Sequence, residues 1–209
     1  MKNLLPENIP VFPLSGVIFF PKTNLPLNIF EPRYLALVKD CFRANKYMGM
    51  IQTKRDSSDV YSIGCLGKIT EYKETKDGRL IVNLTGTSRF EIKSEVANNK
   101  IYREFNVSYK KFLGDMGKEK QTLFKEKIEN LFQKIKIFFK KNGLLLNWEE
   151  FEKLDQNQKI NTLAMIAPIS NEEKQTILES AHIDTKTKVL SEIIEFYLHE
   201  KPTNSFTLQ

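Results

Sequence analysis

The stretch PVFPLSGVIFFPKTNLPLNIFEPRY, residues 10–34, breaks short apolar runs with prolines at Pro10, Pro13, Pro21, Pro26 and Pro32. Each proline fixes φ and removes a backbone donor, so neither a long helix nor a central strand can run through the segment. Short extended pieces joined by turns are what remains. The stretch closes on a helix start. Pro32 suits the first helical position, Glu31 places negative charge at the amino end, and Tyr34, Leu35, Leu37, Val38 and Phe42 follow at helical spacing. A helix is therefore predicted over residues 32–44.

Working outward, strand-like patterns cover residues 9–14, 25–30, 48–52, 63–73, 80–88, 91–96 and 105–111. Leu80, Val82 and Leu84 alternate with Ile81, Asn83 and Thr85, as in a half-buried strand. Asp77-Gly78 marks a hairpin between two such runs. A sheet that curls on itself would bury these faces and shorten its exposed edges. After Gly114 and Gly117 the period changes to that of a helix. Phe124, Ile128, Leu131, Ile135 and Phe138 share one face of a helix predicted over residues 118–141, which Asn142-Gly143 ends. Shorter helices are predicted over 148–154, 158–167, 171–180 and 184–198, with Asn147, Asn171 and Asp184 as amino caps and a partial capping box near Ser170. The organisation expected is a strand-rich unit over residues 1–115, a helical unit over 116–200 and a flexible tail over 201–209.

Three ordered motifs carry a family resemblance. Residues 10–34 combine P-x-F-P-L, an apolar run closing in F-P, and L-P-L-x-I-F-E-P-R-Y. Ile63-Gly64-Cys65-Leu66-Gly67-Lys68-Ile69 follows, and then Asp77-Gly78-Arg79 with Val82, Leu84, Gly86, Arg89 and Phe90. Together they resemble the amino-terminal, substrate-recognition domain of the Lon ATP-dependent protease family. A fainter echo continues at Leu163-Ala164 and over residues 172–179. The resemblance implies an α+β fold: a partly closed β-barrel of the PUA-like type, with the first helix packed against it, followed by an α-helical bundle subdomain. It makes Glu31, Pro32, Arg33, Tyr34, Gly64, Gly78, Gly86 and Arg89 structural motif residues. It also implies recognition of unfolded or degron-bearing polypeptides, with a protease or chaperone as the partner class that such an adaptor would serve.

Composition narrows the function classes. A chain of 209 residues with 41% hydrophobic content suits a globule with a sizeable core. No apolar run approaches the roughly 20 residues that span a bilayer, and no membrane partner is expected. The opening MKNLLPENIP lacks a signal-like apolar stretch and cleavage site, which points to the cytoplasm. Cys41 and Cys65 fall on a predicted helix and a predicted strand, as buried reduced thiols would. The net charge of +6 is uneven: residues 118–141 hold eight lysines and three glutamates, while residues 142–209 hold six basic and eleven acidic residues. A basic helix packing beside an acidic helical group accounts for this, and Lys alternating with Glu reads as a solvated face.

Catalytic constellations are weak. None of the nine glycines belongs to a G-x-x-x-x-G-K-[ST] phosphate loop. The serine-lysine dyad that the resemblance would place in a proteolytic domain falls outside the matched motifs. His182 and His199 stand far apart with no ligand-spaced neighbour, and Glu149, Glu150 and Glu152 suit a helix amino terminus. No catalytic residue, metal or cofactor is expected, and the chain is read as a non-enzyme. Arg33 and Arg89 sit among apolar neighbours, where Glu31 would pair with one of them and tie the first helix to the barrel. Adjacent aromatic residues such as Phe19-Phe20 cannot both face one core by alternation, so some rings are expected to line a groove. The polypeptide-binding patch is placed at Phe19, Phe20, Pro21, Leu25 and Leu27. The alternative is an RNA-binding barrel of the PUA-like type, because the strand-rich half is basic. No defined RNA-binding signature accompanies it, so no specific nucleic acid partner is expected.

Overall fold

The computed structural model describes residues 5–55, 57–117 and 125–199. Six strands come first in the chain: β1 Asn8–Leu14, β2 Asn24–Ile29, β3 Tyr47–Gln52, β4 Ile63–Glu74, β5 Leu80–Glu95 and β6 Arg103–Ser108. The helix α1, Pro32–Arg43, interrupts them. A 3-10 turn over Lys110–Asp115 leads to α2 Lys125–Lys141, α3 Trp148–Glu152, α4 Gln156–Ile166, α5 Asn171–Glu179 and α6 Ile183–His199. No described helix is long and apolar enough to cross a membrane.

The strand order is β2-β5-β4-β3-β1-β6, and β5 pairs additionally with β6. The length of β5 makes this possible. At about 3.4 Å per residue its 16 residues extend about 50 Å, enough for one edge to serve two neighbours in succession. Residues 80–85 pair with β2, and residues 91–95 pair with β6. The second pairing curls the sheet into a barrel, while β2 stays outside the ring, so closure is partial. β1 and β3 are parallel, and the segment carrying β2 and α1 supplies the crossover that a parallel pair requires.

The amphipathic α1 buries Tyr34, Leu37, Val38 and Cys41 against the sheet interior, beside Phe12, Met48, Leu80 and Leu84. A second core fills the helical half. It is built from Leu131, Ile135, Phe138, Phe139, Leu163 and Leu190, and it takes in Ile18, Phe20, Ile63 and Phe112 from the strand-rich half. α6 lies against the basic α2, with Lys134 bonded to Glu195.

Several boundaries differ from the sequence expectations. Residues 80–88 and 91–96 form one strand, because Ser88 and Arg89 stay in the ladder opposite β4. The strand expected to reach residue 111 stops at Ser108, and the chain turns so that Asp115 comes back to β5. Asn147 caps α3 as expected. The cap of α5 is Ser170, in a complete capping box with Glu173, rather than Asn171. α4 starts earlier than expected, behind a second capping box of Asp155 and Gln158. Asp184 lies inside the first turn of α6 instead of capping it. The expected helix over residues 118–124, including Phe124, and the expected tail over residues 201–209 lie outside the described residues.

Candidate functional site

The patch expected to capture polypeptide is not available at Phe19, Phe20, Pro21 and Leu25. Phe19 is 2% exposed and Phe20 0%, and Pro21 and Leu25 are buried. Alternation still governs the pair: Phe19 enters the sheet core and Phe20 the helical core, so neighbouring rings on opposite faces are both inside. The loop is then bolted on both sides. The Pro21 carbonyl accepts from Asn161 Nδ2 at 2.8 Å, and Lys22 Nζ pairs with Asp155 at 2.9 Å. Lys22 takes a φ of 61°, and its N–H donates to the Gly86 carbonyl. Gly86 is required because a Cβ there would lie 2.2 Å from the Phe20 carbonyl oxygen. Leu27 alone of the expected patch stays half-buried.

Arg89 does not pair with Glu31. Its guanidinium is held by Asp115, with Nε to Oδ2 at 2.9 Å and Nη2 to Oδ1 at 2.7 Å, and the side chain is almost fully buried. The remaining N–H groups go to the carbonyls of Leu178, Ser180 and Ala181, just where α5 ends. All five donors are thus committed. The group neutralises Asp115 and caps a helix carboxy end, and its plane rests on the Phe112 ring at 4.2 Å. Glu31 pairs instead with Arg33 at 2.9 Å on the surface, where both are about half exposed, so Arg33 is not the buried cation expected.

Other motif residues act locally. Pro32 opens α1, and Tyr34 packs its ring 3.9 Å from Phe12. Gly64 admits the Phe90 ring and the Met50 carbonyl, which a Cβ would meet at 2.6 and 2.5 Å. Gly78 turns the β4–β5 hairpin at a φ of +82°.

Neither cysteine is an activated nucleophile. Burial pushes the Cys41 thiol up to about 12 and raises Cys65 as well, so neither ionises near neutrality. No group of three or more His, Cys, Asp or Glu residues placed to hold a metal occurs among the described residues. Four of the six arginines, Arg33, Arg79, Arg89 and Arg103, are engaged by carboxylates. They form no free guanidinium comb for a phosphate backbone.

What the geometry leaves open is the outer side of β2. Among the described residues its one strand partner is β5. Gly86 N–H donates to the Thr23 carbonyl at 2.9 Å, which sets the alternation of the ladder. Leu25, Leu27 and Ile29 exchange bonds with β5, and Asn24, Pro26 and Asn28 turn their backbone groups to the free side. Pro26 removes one donor there, the usual protection of an edge against uncontrolled pairing. Beside this edge stand Phe30, 64% exposed, and Ile81, 47% exposed and opposite Asn28 in the register. Sequence reasoning missed this edge because strand order is a long-range property; Pro26 was the one local signal of it.

Comparison with known proteins follows the same outline. The sequence model of the ATP-dependent protease La (LON) substrate-binding domain matches residues 8–195. Lon protease of Treponema pallidum is 25% identical over an alignment of 209 residues that covers 96% of this chain. Lon protease of Cytophaga hutchinsonii is 22% identical over 204, covering 93%. The chain spans 23% of the length of each of these relatives. Among solved structures, the Lon N-terminal domain protein from Xanthomonas campestris superposes with a TM-score of 0.66 at 22% identity, covering 90% of this chain and 98% of that one. The N-terminal domain of Mycobacterium avium complex Lon protease gives 0.62 at 14% identity, with the same coverages. These two likenesses establish a shared fold.

Proposed function

The chain belongs to the Lon substrate-binding domain family, and from that premise we propose that it binds unfolded or degron-bearing polypeptides along the free edge of β2, as a non-catalytic recognition module or adaptor. The observation that carries this reading is the conjunction of a strand edge left unpaired among the described residues with the exposed apolar side chains Phe30 and Ile81. An extended client adds a strand through main-chain bonds to Asn24 and Asn28, which makes capture tolerant of client sequence. Phe30 and Ile81 then favour apolar side chains at alternate client positions. The missing donor at Pro26 keeps the edge from pairing indiscriminately with its own kind.

The test uses Asn28→Pro. Proline at this position removes a donor that faces the free side and leaves the bonds between β2 and β5 in place, and Leu27 before it is already extended. Binding of a fluorescently labelled, permanently unfolded protein should weaken several-fold, with thermal stability unchanged. Phe30→Ser combined with Ile81→Ser should weaken it independently. The affinity of the parent protein should survive moderate salt, because apolar burial and main-chain pairing do not release counterions as phosphate binding does. Undiminished client binding in both variants would remove β2 as the site. Sequence-selective RNA affinity with no client affinity would replace the reading by the RNA-binding one.

A further inference from the structure

Among the described residues the large apolar side chain most open to water is Leu145, which is fully exposed, and the turn that carries it is built rigidly. α2 ends in a Schellman motif. Gly143 takes a φ of 68°, its N–H donates to the Lys140 carbonyl at 3.2 Å, and Leu144 N–H donates to the Phe139 carbonyl at 2.9 Å. On the other side of the turn Leu146 packs against the helical core and Asn147 caps α3. Held at both ends, the chain has no freedom to fold Leu145 inward. Leu144 beside it keeps 37% exposure, and Ile137, two turns back on the outward face of α2, keeps 60%. Single exposed leucines are ordinary on protein surfaces, but a group of three on one rigid corner marks a contact surface.

The charge around this corner has one sign. Residues 130–148 hold four lysines and no Asp, Glu or Arg. Lys134 is tied to Glu195, and Lys141 reaches the Tyr197 carbonyl. Lys140 meets no carboxylate among the described residues, and Lys136 meets the face of Trp148 at 5.0 Å. Lys136 and Lys140 stand one turn apart on the same helix face, beside Ile137. Of the flanking acids, Glu150 is taken by Lys153 and Glu129 is engaged, so Glu149 is the one that opposes them. The corner thus carries a cationic excess beside an apolar crest.

That combination selects the partner. A nucleic acid would use the lysines and leave Leu144 and Leu145 in water. A crest that stands clear of any groove offers a protein partner little area to cover. An anionic bilayer uses both features, because its phosphates meet the ammonium groups while aliphatic side chains sink to the acyl boundary. We propose that the turn between α2 and α3 docks on an anionic lipid surface, with Leu144 and Leu145 inserted below the headgroups and Lys136 and Lys140 against the phosphates. No spanning run is needed for this: its absence underlies the expectation of no membrane partner, and a shallow contact does without one. The surface is separate from the β2 edge and independent of polypeptide binding there.

Flotation of the full chain with vesicles of phosphatidylglycerol and phosphatidylcholine, compared with vesicles of phosphatidylcholine alone, tests the surface. Saturable binding to the anionic vesicles is expected, about tenfold or more tighter than to the neutral ones. Leu145→Ser removes no buried contact and should weaken that binding by about tenfold. Lys136→Gln combined with Lys140→Gln should weaken it by about tenfold as well and reduce its sensitivity to salt. Binding that is absent, equal on neutral vesicles, or as strong in Leu145→Ser as in the parent overturns the proposal. So does loss of binding in Phe30→Ser in place of Leu145→Ser, which would move the contact to the β2 edge. Affinity for polyuridylate above that for vesicles and indifferent to Leu145→Ser would assign the lysines to nucleic acid. Dimer formation that Leu145→Ser abolishes would assign the crest to a second copy, and either result overturns the proposal too.

Discussion

Arg89 and Glu31 are both polar residues of the matched motifs, yet they sit at opposite ends of the energetic scale. Arg89 is 3% exposed, and its guanidinium is satisfied by Asp115 and three carbonyls. Removing it strands a carboxylate in the interior, and breaking a buried pair in this way costs about 3–5 kcal/mol. Glu31 and Arg33 hold each other in water, where an ion pair is worth about 0–1 kcal/mol. Arg89→Ala should therefore lower the urea midpoint sharply with an unchanged denaturant slope, while Glu31→Ala barely moves it. Equal effects from the two substitutions would return Arg89 to the surface and restore the pairing with Glu31. That Arg89 needs a carboxylate was legible in its apolar sequence neighbours. Which carboxylate was not, because Asp115 lies 26 residues away and arrives only through a 3-10 turn that breaks the strand expected there.

At the scale of elements, the proline-rich opening was legible because proline acts through local geometry alone. It confined β1 and β2 to short extended pieces and placed the start of α1 at Pro32, as observed. The Phe19-Phe20 loop was misread for a reason of topology. Alternation correctly separates the two rings, but a pattern along one chain says nothing of a second core behind the strand, and the helical half supplies it. Gly86 is the element-scale control on that arrangement. A methyl group at this position would meet backbone rather than a flexible side-chain end, with the Phe20 carbonyl oxygen 2.2 Å away. Gly86→Ala must push the loop off β5, loosening the bond from Lys22 N–H and the burial of Phe20 together. A cost of about 1–3 kcal/mol is expected, as for other overpacked sites. Amide exchange should show the loss of protection first at Lys22 and Thr23. A variant as stable as the parent, with those amides unchanged, would mean that the loop does not lie against Gly86.

Across the whole molecule, the change from a strand period to a helical one suggested two units meeting near residue 115, and the strands do precede the helices in the chain. Whether they behave as units depends on what crosses between them. Ile18, Phe20, Ile63 and Phe112 of the strand-rich half belong to the helical core, Gln175 Nε2 donates to the Ile63 carbonyl, Asn161 to that of Pro21, and Arg89 to the end of α5. Separating the halves would expose those side chains and leave every one of these polar groups to find water. The partition of sequence patterns is therefore not a partition of stability, and the protein should unfold in a single cooperative step. Trp148 reports this directly, since it is the only tryptophan and packs against the helical core, whereas the β-sheet component of the infrared amide I band follows the other half. The two transitions in urea should coincide, and Arg89→Ala should shift both by the same amount although the residue lies on a strand. A tryptophan transition that precedes the sheet transition would establish residues 116–200 as a separately melting unit attached to an independently stable barrel.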